Sequence, residues 1–226
     1  MLTLAIDTAT KTMSVALLSC GEIVAETFFN VNVNHSFLLL PVIDDIFLRG
    51  QVKLTEIDVF ACTTGPGSFT GLRIGVGTVK GFALATGRPV AGISTLEALA
   101  FNAAGASMLV CPMLDARKEQ VYTAIYRPSP EVTLARVGEE RLTDPASFLA
   151  DIHEDCLFLG DGAIKNEGMI RSILSTRSFF ASGNQQHVRA AVVGLLGERD
   201  VRLGNLLDPV TISVRYIRTS EAELKR

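Results

Sequence analysis

The pattern of apolar and polar positions in the first thirty residues is typical of the strands of a sheet. Apolar side chains recur at every second position from Leu2 to Ile6, and residues 13–18 and 22–31 form two further strand-like runs. A Cys-Gly turn joins the last two runs, and connections this short join antiparallel neighbours. The chain is therefore predicted to begin with three antiparallel strands.

Helical periodicity follows, interrupted by short strands. A helix is predicted over residues 36–49, where Pro41 implies a kink or a late start. The other elements predicted before residue 103 are a strand at 57–62, a glycine-rich helix, a strand at 89–93 and a helix opened by a capping box of Ser94 and Glu97. This mixture of strands and helices is typical of an α/β protein.

The pattern of the chain's start returns near residue 114. The stretch "IDTATKTMSVAL" from Ile6 and the stretch "LDARKEQVYTAI" from Leu114 both place an aspartate at the end of an apolar strand, before a polar turn and a second strand. Their alignment puts Asp7 on Asp115 and Ala16 on Ala124. We therefore predict a duplicated architecture, with a first lobe at 1–103 and a second at 104–226.

The rest of the second lobe carries weaker signals. A strand at 157–159 runs into Gly160, much as the strand ending at Cys62 runs into a glycine-rich turn. Residues 127–138 are predicted to be a polar loop, and Asp144-Pro145 is typical of a helix start. A late helix is expected near 185–199.

Composition and charge restrict the function. Of 226 residues 48% are hydrophobic and only 20% charged, below the roughly 25% usual for globular domains, so burial by a partner is plausible. A net charge of −3 lacks the basic footprint of a protein that binds nucleic acid unaided. Four scattered cysteines without a CxxC pair indicate reduced thiols. With neither a signal peptide nor a membrane-spanning apolar run, we expect a cytoplasmic protein.

The stretch "GPGSFTGLRIGVG", residues 65–77, opens the glycine-rich helix. On a helical wheel Gly71, Gly75, Gly77, Gly81 and Ala85 fall on one arc. Four helical glycines cost about 3–4 kcal/mol relative to alanine, so a close neighbour must compensate. That neighbour is either the protein's own sheet or another subunit.

The preceding helix favours another subunit, because its apolar arc covers more than half of the circumference while a lobe surface needs a narrower stripe. A helix sandwiched between lobes is the alternative. Ile43→Asp is expected to abolish complex formation while the lobe still folds. The residues predicted to form the partner interface are Leu39, Val42, Ile43, Ile46, Gly71, Gly75, Thr78 and Phe82.

The two strand-end turns are the candidates for nucleotide chemistry. Phosphate loops ordinarily carry glycine where the backbone approaches the ligand, yet Ala9, Ala116 and Arg117 occupy these turns. Weak nucleotide binding by vestigial residues stays open for Asp7, Thr8, Thr10 and Asp115.

No catalytic residue and no metal site is predicted. Residues 65–77 do not continue into the Gly-Lys-Ser/Thr of a Walker A loop. The three histidines are isolated, without HExxH spacing, and Ser68 does not lie in a Gly-x-Ser-x-Gly elbow. Ser68 and Thr70 are better suited to capping the glycine-rich helix.

The segments "LAIDTAT", "GPGSFTGLRIGVGTVKGFA", "STLEALA", "MLDARKEQVY" and "FLGDGA" together resemble the bacterial TsaB (YeaZ) family. These blocks extend from Leu4 to Ala163. The resemblance implies an actin-like ATPase fold of two ribonuclease-H-like lobes with mixed sheets, whose last segment returns to the first lobe. It also implies that the family's partner contact maps onto residues 36–49 and 70–86.

The resemblance further implies a noncatalytic scaffold subunit of the complex that forms threonylcarbamoyladenosine beside the anticodon of ANN-decoding tRNAs. Its expected partners are the paralogous transferase subunit TsaD, the ATPase TsaE and, through the complex only, tRNA. ATP and magnesium would be used by the complex rather than held by this chain, and the same helices would allow a homodimer. The isolated histidines argue against the older peptidase label. The alternative is a self-sufficient actin-like ATPase or small-molecule kinase.

Overall fold

The computed structural model describes residues 1–30, 34–131 and 133–217, and the chain divides into two compact units. Unit 1 consists of Met1–Ala98 and Val188–Arg215, and unit 2 is built on Leu99–His187. The chain thus leaves unit 1 after Ala98 and comes back to it at Val188. No helix in the described part of the chain has the length and apolar content that a membrane crossing requires.

Unit 1 contains a mixed five-stranded sheet. Its strands are β1 (Leu2–Asp7), β2 (Met13–Ser19), β3 (Glu22–Phe29), β4 (Val59–Gly65) and β5 (Val90–Ser94), in the order β3-β2-β1-β4-β5. The first three strands pair antiparallel, which confirms the predicted start, whereas β1, β4 and β5 are parallel. Asp7 therefore ends the central strand.

Unit 2 repeats this topology. Its strands are β6 (Leu109–Asp115), β7 (Val121–Ser129), β8 (Thr133–Thr143), β9 (Cys156–Leu159) and β10 (Ser178–Phe180), in the order β10-β9-β6-β7-β8. The antiparallel pairs β6–β7 and β7–β8 and the parallel pairs β6–β9 and β9–β10 match those of unit 1 strand for strand. The predicted duplication is confirmed, with Asp7 and Asp115 ending equivalent strands.

Two details of the second lobe were predicted wrongly. Residues 127–138 are mostly strand rather than loop, because β7 runs to Ser129 and β8 begins at Thr133. The alignment of the second hairpin strand is also off by one residue. Asp7 pairs with Ser14 but Asp115 pairs with Val121, so the second hairpin's connection is one residue shorter.

Seven α-helices complete the two units. They are α1 (His35–Gly50), α2 (Phe69–Thr86), α3 (Thr95–Phe101), α4 (Pro145–Ala150), α5 (Asp161–Lys165), α6 (Glu167–Leu174) and α7 (Ala190–Leu203) among the residues that the structure describes. Ser68 caps α2 as predicted, since its hydroxyl accepts the Gly71 N–H at 3.3 Å. Asp144 likewise caps α4, with proline at the first position. These ends are set by residues adjacent in sequence.

Helix α7 begins later than predicted because distant residues cap it. The Ala190 N–H donates to the Ser14 hydroxyl on β2, and the Ala191 N–H donates to the Glu26 carboxylate on β3. Arg189 pairs with the same carboxylate through two nitrogens. The start of α7 is thus set by tertiary contacts.

The faces of the unit 1 sheet carry different helices. Leu4 and Ile6 of β1 lie in one apolar core with residues of α1 and α2. Ala5 points to the opposite face, where Gly194 of α7 packs against it. After α7 the chain crosses back, pairing Leu207 with Val90 and burying Ile212 in the core of α1 and α2. That core therefore has contributions from both segments of unit 1.

Candidate interaction surface and strand-end aspartates

The apolar side chains predicted to meet a partner from α1 lie in the core of unit 1 instead. Leu39, Val42, Ile43 and Ile46 are all buried there, Ile43 with 1% of its surface exposed. The periodicity correctly located an apolar face of α1. The prediction that this face contacts a partner was wrong, because it packs in the core of unit 1. Ile43→Asp is consequently a folding variant and not the interface variant that the sequence predicted.

A second set of apolar side chains on α1 faces outward. Phe37, Leu40 and Leu48 are 75%, 52% and 78% exposed. With offsets of three and eleven residues they fall on one side of the helix and extend along about 16 Å of it. The sequence contained a signal for this stripe, because α1 has more apolar residues than a single core-facing side requires.

The glycines of α2 divide between two faces. A Cβ atom at Gly71 would overlap the carbonyl oxygen of Thr8, and one at Gly75 would overlap the Thr8 hydroxyl. These two predicted interface glycines therefore let α2 approach its own sheet. At Gly77 and Gly81 a Cβ would meet no atom of the described residues within 4 Å apart from the helix's own backbone, so these positions are open.

The remaining predicted interface residues of α2 lie between the two faces. Phe82 is half-buried, with its ring centroid 5.9 Å from that of Phe60 in the core, and Thr78 is half-buried as well. Arg73, on the exposed side, stacks over the Phe69 ring at 3.8 Å. We call the five exposed positions Phe37, Leu40, Leu48, Gly77 and Gly81 the outward surface.

Asp7 is sealed from solvent at the end of β1. Its Oδ1 accepts the Thr63 hydroxyl at 2.7 Å and the Ala9 N–H at 3.2 Å, whereas its Oδ2 has no hydrogen-bond partner among the described residues. Burial raises the pKa of Asp7 to about 6, although both hydrogen bonds act in the opposite direction. The carboxyl group is held in place without contact with water.

Several polar groups of residues 7–10, which we call the Asp7 turn, form hydrogen bonds with the protein itself. Thr8 donates its hydroxyl to the Gly71 carbonyl at 2.8 Å, and the Ala9 carbonyl accepts the Ser68 N–H at 2.6 Å. A Cβ at Gly67 would overlap the Ala9 carbonyl oxygen, so glycine there lets the lead-in of α2 close over the turn. A phosphate bound at the Asp7 turn would have to displace these contacts.

Asp115, the equivalent aspartate of unit 2, is also engaged. Both of its carboxylate oxygens accept from Lys165, at 3.0 and 2.9 Å, and the Arg117 N–H donates to one of them at 3.0 Å. Arg117, Lys118 and Glu119 all have positive φ angles, a left-handed run that the sequence did not reveal. The Lys165 ammonium forms an ion pair with the Asp115 carboxylate, which a bound cation would need as a ligand.

In the described part of the chain the histidines are not clustered with acidic residues. Within residues 1–30, 34–131 and 133–217, no three His, Cys, Asp or Glu side chains are grouped as a metal site requires. His35 contacts the Thr10 carbonyl through Nε2 at 2.9 Å. Its contact is with the backbone of the Asp7 turn.

The sequence is similar to that of known tRNA-modification proteins. The family model described as "TsaD: tRNA N6-adenosine threonylcarbamoyltransferase" matches residues 23–208. The Bacillus subtilis tRNA threonylcarbamoyladenosine biosynthesis protein TsaB is 30% identical over 224 residues, covering 98% of this chain and 96% of that protein. The Escherichia coli protein of the same name is 41% identical over 126 residues, covering 55% of this chain and 54% of its own length.

Solved structures share the fold. YeaZ from Pseudomonas aeruginosa superposes with a TM-score of 0.78 at 27% identity, over 95% of this chain and 99% of its own. Component A of the Acidaminococcus fermentans (R)-2-hydroxyglutaryl-CoA dehydratase has a TM-score of 0.53 at 12% identity, over 89% of this chain and 99% of its own. The Thermus thermophilus ROK hexokinase has a TM-score of 0.51 at 10% identity, over 90% of this chain and 100% of its own. These matches confirm the predicted actin-like α/β fold.

Proposed function

Because the chain belongs to the TsaB (YeaZ) family, we propose that it acts in the biosynthesis of threonylcarbamoyladenosine in tRNA, as a noncatalytic subunit that binds a TsaD-like transferase. The family membership confirms the resemblance inferred from the sequence. The observation that carries the proposal is the outward surface, where large apolar side chains of α1 lie exposed and the neighbouring α2 offers bare backbone.

The chemistry of the outward surface suits a helical partner. Fully burying a large apolar side chain stabilises an association by about 1.5–3 kcal/mol, and Phe37, Leu40 and Leu48 retain half or more of their surface for that purpose. Gly77 and Gly81 lie one turn apart, so a partner's side chains would approach the α2 backbone closely. The TsaD-like subunit would therefore dock on the outward faces of α1 and α2.

The closed strand-end turns support the noncatalytic role. Asp7 is buried beneath the lead-in of α2, and Asp115 is paired with Lys165. ATP and magnesium would act elsewhere in the complex, on the transferase and a TsaE-like ATPase. With a net charge of −3, this chain would meet tRNA only through the complex. A homodimer through the outward surface would compete with the transferase.

The test is threonylcarbamoyl incorporation into unmodified tRNA by the purified components, with and without this chain. Leu40→Asp should abolish stimulation, because it places a carboxylate in the apolar contact. Leu203→Asp is the matched control, since Leu203 is 61% exposed at the end of α7, on the opposite face of the sheet. Equal product without the chain would overturn the proposal. ATP turnover by the pure chain that is lost in Asp7→Ala would instead establish the self-sufficient ATPase or kinase.

A further inference from the structure

The Asp7 turn contacts both helices of the outward surface. On the α2 side, the Thr8 hydroxyl donates to the Gly71 carbonyl at 2.8 Å, and Gly71 and Gly75 leave room for Thr8 against the helix. The Ala9 carbonyl also accepts the Ser68 N–H, which fixes the residue that caps α2. The start of α2 thus rests on two successive residues of the turn.

On the α1 side, the contact is His35, the first residue of the helix. Its Nε2 lies 2.9 Å from the Thr10 carbonyl oxygen. Because a carbonyl oxygen only accepts, Nε2 carries the hydrogen and donates it. The stripe of α1 begins two residues later at Phe37, so this bond fixes the end of the helix where the outward surface starts.

The turn itself is fixed to the sheet. Asp7 Oδ1 accepts from the Ala9 N–H inside the turn and from Thr63 on the neighbouring strand β4. The Thr10 and Thr12 hydroxyls lie 2.8 Å apart on the way into β2. A displacement of the turn would therefore move the starts of α1 and α2 together.

We propose that the Asp7 turn is a positioning junction, in which Thr8 and His35 hold α1 and α2 at the spacing that makes the outward surface complete. This inference rests on the proposed function for the identity of the partner. Thr8 is 1% exposed and lies beneath α2, so it acts on the partner only through the helices. Thr8 and His35 are positioning residues.

The experiment compares affinities for the purified TsaD-like subunit by titration calorimetry. Thr8→Val keeps the shape and removes the donor, and should weaken binding severalfold, up to about tenfold if the whole effect of the lost buried hydrogen bond reaches the interface. Thr8→Ser keeps the hydroxyl and should bind like the wild type. His35→Ala should weaken binding, and His35→Gln, whose amide can donate to Thr10, should restore it.

Ser14→Ala is the matched control. It also removes one buried hydroxyl, which accepts from the Ala190 N–H and donates to the Val188 carbonyl on the opposite face of the sheet. It should lower the melting temperature as Thr8→Val does and leave the affinity unchanged. Equal weakening by Ser14→Ala and Thr8→Val would show a general stability effect and overturn the junction, as would unchanged binding by Thr8→Val.

A readout without the partner separates this inference from the proposed function. In amide hydrogen exchange of the free chain, Thr8→Val should speed exchange at the starts of both α1 and α2, and His35→Ala should do the same. Faster exchange confined to the helix next to the substitution would overturn the junction. If the wild type does not bind the TsaD-like subunit, the proposed function fails and this exchange pattern still decides the junction.

Discussion

The inward and outward faces of α1 and α2 use the same residue types for different purposes. Inward, apolar side chains of α1 fill the core and Gly71 and Gly75 of α2 fit against Thr8. Outward, large apolar side chains are exposed on α1, and a Cβ at Gly77 or Gly81 would meet no described atom outside the helix's own backbone. An apolar residue or a glycine in a helix therefore indicates a close neighbour without saying which, and the neighbour decides what a substitution does.

The largest contrast is expected between two aspartate substitutions on α1. Ile43→Asp buries an unpaired carboxylate in the core and should destabilise the fold by about 4 kcal/mol or more. Leu40→Asp, on the exposed side, should change stability by less than about 0.5 kcal/mol. Urea unfolding of both variants measures the difference. Similar losses for the two would mean that the inward and outward faces are not distinct.

The second contrast lies among the glycines of α2. Gly71→Ala and Gly75→Ala should each cost about 3 kcal/mol, because the methyl group meets Thr8 in a packed site. Gly77→Ala is the control and should gain about 1 kcal/mol, since alanine is the better helix former and the site is open. Thermal unfolding measures whether each substitution lowers or raises the stability of the fold.

A double substitution sharpens this contrast. The obstacle at Gly75 is the Thr8 side chain, whereas at Gly71 it is the Thr8 backbone carbonyl. Thr8→Ala should therefore recover much of the loss in Gly75→Ala and none of it in Gly71→Ala. Recovery in both, or in neither, would contradict the packing seen between α2 and the Asp7 turn.

Local patterns predicted the elements well. The helix predicted over 36–49 is α1 (His35–Gly50), and Ser68 caps α2, because periodicity and capping depend on residues near in sequence. The duplicated topology was also predictable, since each aspartate follows an apolar strand. The same reasoning missed the start of α7, which Ser14 and Glu26 set from distant strands.

Several features of the candidate site could not be predicted from patterns of neighbouring residues. The apolar residues of α1 occupy more than half of its circumference, so periodicity alone could not divide them into a core face and an exposed face. The left-handed run at Arg117–Glu119 contains no glycine to mark it. The pairing of Asp115 with Lys165 joins residues fifty positions apart, which only the tertiary structure brings together.

A modest and pH-dependent effect is expected at Asp7, beneath the inward face of α2. Its pKa in the folded chain, about 6, exceeds the ordinary value of 3.8, so the folded state binds the proton more tightly than the unfolded state does. The contribution of Asp7 to the stability of the fold is therefore fully present below about pH 4 and is lost as the pH rises through about 6. At about 1.4 kcal/mol per unit, the loss is about 3 kcal/mol at neutral pH.

Asp7→Asn removes this titration while keeping an oxygen for Thr63 and Ala9. Its amide nitrogen replaces Oδ2, which has no partner among the described residues, and would itself lack an acceptor there, which offsets about 1–2 kcal/mol of the gain. The variant should therefore be about 1–2 kcal/mol more stable than the wild type at pH 8 and less stable at pH 4. Taking the difference in unfolding free energy between the two proteins cancels the other titrating groups. If that difference does not change with pH, the Asp7 carboxyl is not buried under α2. The inward face of α2 would then not be closed to solvent at this position, and the contrast between the two faces would be weaker.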